Sequence, residues 1–266
     1  MDQVTVASLN TLGLPLRASD LPARYGAIAR FFETSDIDVV CFQEVLTRWH
    51  LRRLRPGMPS FRHVRTGRGI AGPAGGLVTM SRRPLGPARY HRFPVPAAGM
   101  GRVDQAKSVL KGSLVTRLAD LWVVNTHPMP NRDGDWSGTN RHAAMHRQQL
   151  AHLAAVVARL DGPQAVCGDF NIAAGSTFLP AFEAATGLVD AFAGDPTPTY
   201  RAEEFLGPGI PGHRIDFVFT TPSVTVADRA LILTAKHPFP TGPAYVSDHL
   251  GIRATLNVAV RSAPGR

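Results

Sequence analysis

Apolar residues along the chain fall into short runs rich in Val, Ile, Phe and Thr, separated by glycine, proline and polar residues. Runs of this kind read as β-strands. They predict strands over 3–9, 38–43, 61–66, 76–81, 109–117, 120–126, 164–168, 214–220 and 250–260. Two stretches change period. Ile28, Phe31 and Phe32 give one apolar side to a helix over 21–34, with Pro22 in its first turn. Leu150, Leu153, Val157 and Leu160 form a stripe at helical spacing over 140–160, with Thr139 or Asn140 as its cap and Gly162 past its end. A shorter helix is expected over 176–186. Many strands with few helices fit two packed sheets with helices outside. No repeat or linker divides the pattern, so residues 1–260 read as one domain and 261–266 as a frayed tail.

The chain has 266 residues, a length that one α/β core accommodates. A formal net charge of +9 favours anionic partners: nucleic acid, anionic lipid headgroups or phosphorylated small molecules. It does not choose among them, and much of the arginine is also what a GC-rich genome would produce. No apolar run reaches the roughly 18 residues of a membrane-spanning helix, and no signal-peptide pattern opens the sequence. The expectation is a cytoplasmic monomer, or a secreted one whose leader has been removed. Cys41 and Cys167 lie in apolar runs and read as small buried thiols, without disulfide or zinc spacing.

The chemistry lies where apolar runs stop. The first strand leads to Asn10, DVVCFQ to Glu44, LWVVNT to His127, and QAVCG to Asp169 and Asn171. HRIDFVF carries Asp216 between Ile215 and Phe217, and Ser247, Asp248 and His249 precede the final strand. A carboxylate at a buried strand end costs free energy unless it is paired or holds a cation. One such residue means little, but six converging segments describe a site. Carboxylate and amide oxygens suit hard ions such as magnesium or manganese.

The segments SLNTLG, VVCFQEV, GGLVTMSRRPL, NTHPMP, CGDFNI, HRIDFVF and SDHLGI resemble, in order, the signature motifs of the endonuclease/exonuclease/phosphatase superfamily. They run from about residue 3 to about residue 258, and GDFN, RIDFVF and SDH together are specific. The resemblance implies a DNase I-like four-layered α/β/β/α sandwich with a metal site where loops of both sheets meet. It implies Glu44 as the main ligand of Mg2+ (or Mn2+), with Asn10 beside it and Asp248 on the metal side. It implies Asp169 for the nucleophilic water, Asn171 for the phosphate oxygens, and His249 as general base or acid oriented by Asp216. It implies His127 as a donor to the phosphoryl oxygens of the transition state.

The substrate is less sharply written. DQAKSVLKGSLVTRL over 104–118 resembles the lysine-glycine strand of neutral sphingomyelinases, which would place Lys107 or Lys111 near the phosphate. NTHPMP with RHAAMHRQQLAHL, and TGLVDAF with PTY, are similar to other segments of that branch. The leading expectation is therefore a phospholipid or sphingophospholipid phosphodiesterase. The exposed aromatic pair of many lipid-cleaving relatives is missing. Trp136 and the apolar loop FLGPGIPG over 205–212 stand as candidates for peripheral membrane contact. The alternative is a non-specific endonuclease, with the arginines of 48–55 and 62–68 along a duplex. Phosphatase activity and a catalytically dead binding module rank below both. His142, His146 and His152 are expected on a solvated helix face, Arg141 and Arg147 toward substrate or solvent, and His213 near the pocket.

Overall fold

The computed structural model describes residues 2–14, 20–94, 104, 107, 108, 110–131 and 133–259. The expected tail lies outside the described residues. Two six-stranded sheets form the body. The first sheet contains β1 (Asp2–Asn10), β2 (Val39–Gln43), β3 (His63–Arg68), β4 (Pro73–Ser81), β11 (Val224–Ile232) and β14 (Gly251–Val258), in the order β11-β14-β1-β2-β4-β3. The second contains β5 (Arg89–Arg92), β6 (Gly112–Leu118), β7 (Leu121–His127), β8 (Gln164–Asp169), β9 (Val189–Asp190) and β10 (Asp216–Thr220), in the order β5-β6-β7-β8-β10-β9. A small hairpin of β12 (His237–Phe239) and β13 (Gly242–Ala244) stands apart.

The alternation of strand side chains builds the layers. On β2, Val39 and Cys41 face the second sheet, packing with Val123, Ala165, Cys167 and Val218. Val40 and Phe42 point the other way, onto Tyr25, Ile28 and Phe32 of α1 (Leu21–Thr34). On β8 the parity is the same. Ala165 and Cys167 point between the sheets, and Val166 points out to Leu150 and Leu153 of α3 (Ala143–Val157) and Phe182 of α4 (Phe178–Thr186). Two further short helices are α2 (Arg48–Leu54) and α5 (Ala202–Leu206). The central strands are apolar on both faces because both faces are covered. The architecture is the four-layered α/β/β/α sandwich that the resemblance implies.

Several boundaries shift. The strand expected over 61–66 is His63–Arg68, and the helix expected over 140–160 is Ala143–Val157. Strands β5, β9, β11, β12 and β13 and helices α2 and α5 were not expected. β1 runs parallel to β2, and β7 parallel to β8, so their C-terminal ends share one rim of the sandwich. β10 pairs antiparallel with β8, with Asp216 opposite Asp169, which brings the start of β10 to that rim. The start of β14 arrives there too, beside the end of β1, with Ser8 opposite Ile252.

Candidate active site

Asp169 is the hub. It ends β8 almost fully buried, and its neighbours are donors. Asn10 Nδ2 donates to Asp169 Oδ2 at 2.9 Å, and the Asn171 backbone N–H donates to Oδ1 at 2.8 Å. Two imidazoles approach Oδ2, His127 Nε2 at 3.4 Å and His249 Nε2 at 3.7 Å. Burial alone would raise the Asp169 carboxyl pKa. The positive field of His249 and the hydrogen bonds of His127 and Asn10 outweigh it and hold the group well below its ordinary value, so it is ionised.

The two histidines differ in the charged group beside the ring. His249 Nδ1 meets Asp216 Oδ2 at 2.8 Å, and Thr199 Oγ1 accepts from the backbone N–H of Asp216 at 3.1 Å. Burial pushes the His249 pKa down, but Asp216 and Asp169 reverse this and hold it up at about 10. His127 has Lys111 instead, with Nζ 2.8 Å from Nε2 and 3.0 Å from Nδ1. Burial first, and the ammonium second, push His127 below its ordinary value. The ammonium lies beside both ring nitrogens, so the Nε2 that faces Asp169 also has Lys111 next to it.

Glu44 and Asp248 occupy the first-sheet side. Glu44 follows β2 with a φ of 62°, in the left-handed region where a residue with a side chain is strained. Its backbone is approached so closely that a Cβ on Gly13 would lie 1.9 Å from the Glu44 carbonyl oxygen, so only glycine fits there. Glu44 Oε2 is buried without a hydrogen-bond partner among the described residues, as is Asp216 Oδ1. The Asp248 carboxyl is raised by burial and by the charges of Glu44 and Asp169, against the pull of His249. A strained glutamate with an orphaned buried oxygen, beside a second carboxylate whose ionisation its charge opposes, fits a hard divalent cation. Among the described residues, Asp169, Asp216 and His249 bring one ligand-type atom each within 4.8 Å of one another. There, however, Asp216 Oδ2 and His249 Nδ1 are engaged with each other.

Of the residues expected from the sequence, Asn10, Lys111, His127, Asp169, Asn171, Asp216 and His249 come together here, with Glu44 and Asp248 beside them. Asn10 Oδ1 accepts from the Leu12 N–H at 3.0 Å, and Asn171 Nδ2 donates to the Pro128 carbonyl at 3.1 Å. The two lysines part company, since Lys107 is exposed and Lys111 reaches His127. The expectation of a solvated histidine face is corrected. His142 and His146 are buried because the 128–142 loop folds over the start of α3, where His146 Nε2 meets the Met129 carbonyl at 3.2 Å. Trp136 braces the site by donating to the Asn171 carbonyl at 3.0 Å, and His213 packs edge-on against its ring.

Sequence reasoning missed the supports. Gln43 Nε2 donates to Asn125 Oδ1 at 2.8 Å and ties the two sheets together beneath the site. Two buried arginines hold the backbone of the Val246–His249 segment. Arg24 donates to the carbonyls of Val246 and Leu12 at 2.6 and 2.8 Å. Arg201 donates to those of His249 and Ser247 at 2.6 and 3.0 Å.

Residues 7–249 match the model of the Endonuclease/Exonuclease/phosphatase family. No curated protein sequence matches the chain. Among solved structures, the fold is similar to sphingomyelinase C from Streptomyces griseocarneus, at 17% identity and a TM-score of 0.73, covering 97% of this chain and 100% of that one. It is similar to TDP2 from D. rerio complexed with a single-strand DNA product, at 18% identity and a TM-score of 0.71, with 97% and 100% covered. A double mutant of beta toxin from Staphylococcus aureus with bound magnesium ions matches at 16% identity and a TM-score of 0.73, with 95% and 99% covered.

Proposed function

Because the chain belongs to the endonuclease/exonuclease/phosphatase family, whose members are metal-dependent phosphoester hydrolases, we propose that it is a magnesium-dependent phosphodiesterase cleaving a phospholipid or sphingophospholipid. The observation that carries this reading is the buried Asp169 carboxylate approached by His249, which Asp216 holds from behind, and by His127, which Lys111 flanks. A phosphodiester resists attack because it is anionic, and an ion that Glu44, Asp248 and Asn10 would hold would supply charge neutralisation at the phosphate. Asp169 orients the attacking water and takes a proton from it as the new phosphorus–oxygen bond forms. Lys111 and Asn171 meet the charge that grows on the phosphoryl oxygens, and His127 joins them as its single N–H passes from Asp169 to a phosphoryl oxygen. His249, held in one orientation by Asp216, hands its proton to the oxygen that leaves with the lipid alcohol. The phosphorus–oxygen bond to that alcohol breaks, and the phosphorylated headgroup departs.

Support for a lipid over other phosphate esters comes from Lys111 on the strand that resembles the sphingomyelinase segment, and from its contact with His127. A second reading, a metal-dependent nuclease, is favoured by one observation. Between Val45 and Phe93 the chain has eleven arginines and no aspartate or glutamate. A paired assay separates the two, with phospholipid–sphingomyelin micelles in one arm and plasmid DNA in the other, each with magnesium or with chelator. Headgroup release that needs magnesium, with plasmid intact, is the expected result. Nicking with the lipid untouched would replace the substrate and leave the site standing.

A further inference from the structure

Eight large hydrophobic residues are exposed among the described residues, and they are not scattered. Val189 lies at the far end of the sandwich. The other seven sit on loops that leave the active-site rim. Leu14 follows β1, and Trp49 opens α2 after β2. Ile70 is the tip of the β3–β4 hairpin, and Leu110 precedes β6 opposite the end of β7. Phe205, Leu206 and Ile210 lie between Arg201, which binds the backbone of the Ser247–His249 segment, and the start of β10. Ile70 has no cover at all, and Leu110 is 62% exposed. Apolar side chains isolated on a surface are ordinary, whereas seven on one rim mark an interaction surface.

The tips are braced. The Gly69 N–H donates to the Gly72 carbonyl and the Arg48 N–H to the Ala71 carbonyl, both at 3.1 Å. A Cβ on Gly72 would come within 2.6 Å of the Thr47 backbone, so the hairpin tip lies directly on the start of α2. Tyr90 Oη donates to the Leu110 carbonyl at 2.9 Å. Ile70 and Leu110 are thus displayed on supported turns.

Charge is segregated along the same rim. Arg48, Arg52, Arg53 and Arg55, on and just after α2, and Arg68 beside the hairpin tip are exposed, and the acid-free run contains them all. Acids lie on the other rim segments, Asp133 and Asp135 after β7 and Glu203 and Glu204 of α5, and not on the stretch that carries the hairpin tip and α2. Arginines alone would serve a nucleic-acid backbone equally well. Aliphatic tips favour the other source of phosphate, because Ile and Leu gain from the acyl boundary of a lipid layer while a duplex backbone offers them little.

We propose that this rim, with Ile70 and Leu110 inserted and the α2 arginines on the headgroups, docks the site onto an anionic phospholipid surface. The proposal rests on the lipid reading of the site. It is tested by sedimenting the full chain, in chelator, with vesicles of phosphatidylcholine alone or mixed with phosphatidylserine. In parallel, magnesium-dependent hydrolysis of the soluble diester bis(p-nitrophenyl) phosphate reports on the site itself. The expected result is binding to the anionic vesicles only. Ile70→Ser with Leu110→Ser should weaken it about tenfold, as should Arg52→Glu with Arg53→Glu, with soluble-diester hydrolysis unchanged in both. Wild-type protein that cuts the soluble diester but ignores anionic vesicles would overturn the docking surface and leave the phosphodiesterase intact. Vesicle binding without diester hydrolysis would support the surface and count against the reading of the site. A DNA duplex bound through the same arginines, with vesicle binding indifferent to Ile70 and Leu110, would overturn the proposal in favour of nucleic acid.

Discussion

Two buried imidazoles face one carboxylate oxygen, and the charged neighbour beside each ring sets them apart. His249 backs onto Asp216 and is held protonated, at about 10. His127 is buried with Lys111 beside both of its ring nitrogens, and its pKa is pushed down. Burial acts downward on both. The difference is therefore a matter of neighbours, with a carboxylate at 2.8 Å in one case and an ammonium at 2.8 Å in the other. A charged proton donor and a neutral hydrogen-bond donor thus stand beside Asp169, as a reaction with one leaving oxygen and one growing oxyanion requires.

If the two sides are unequal in this way, removing the proton carrier should cost most. His249→Ala is expected to lower kcat by about a thousandfold or more, with circular dichroism and the magnesium requirement unchanged. Activity within a few-fold of wild type would end the assignment.

Asp216→Asn should cost less, about a hundredfold, and should reveal its cause through pH. In wild type without metal, the His249 pKa is raised above the ordinary value near 6.5. The stability it contributes is fully present below about 6.5 and is lost as pH rises through about 10. The asparagine removes the nearest negative charge, so His249 should release its proton at lower pH, read directly by NMR titration of its ring. An unmoved titration would show that Asp216 orients the ring without setting its charge.

Glu44→Gln leaves both histidines in place and asks whether the ion belongs to the first-sheet side. The magnesium needed for half-maximal rate should rise about ten- to a hundredfold, with the His249 titration little changed. An unaltered magnesium titration would remove Glu44 from the metal site.

Much of this was legible in the sequence because the fold places its chemistry where apolar runs end. VVCFQ, WVVNT and QAVCG alternate between two buried faces, and the polar residue that follows each has only the rim to occupy. Elements without that signal were not legible. β5 reads RYHR, and β11 is an edge strand carrying Asp228 and Arg229, with no apolar period for a sheet to impose on either. Helix α2 reads RWHLRRL, so its arginines looked like a charged patch before its capping threonine became visible in the fold. Arg24 and Arg201 were invisible for another reason. Their partners are backbone carbonyls from distant segments, which leave no trace in residue identity. Of the two lysines, only the register of β6 against β7, with Gly112 opposite His127, separates Lys111 from Lys107.

The smallest expected effect is the sharpest test of the comparison. Lys111→Met keeps the length of the side chain and removes its charge. The carboxylate Asp169 would then dominate the field at His127, so its pKa should rise, opposite in sign to the shift of His249 in Asp216→Asn. The loss in rate should be modest, about tenfold, because the imidazole still donates to the phosphoryl oxygens. It should be concentrated at acidic pH, where a His127 that protonates more readily gains a charge that Asp169 holds in place. A drop in kcat/KM spread evenly over pH would mean instead that the ammonium acts on the phosphate only and not through His127. The two histidines would then differ for a reason other than the charge beside each ring.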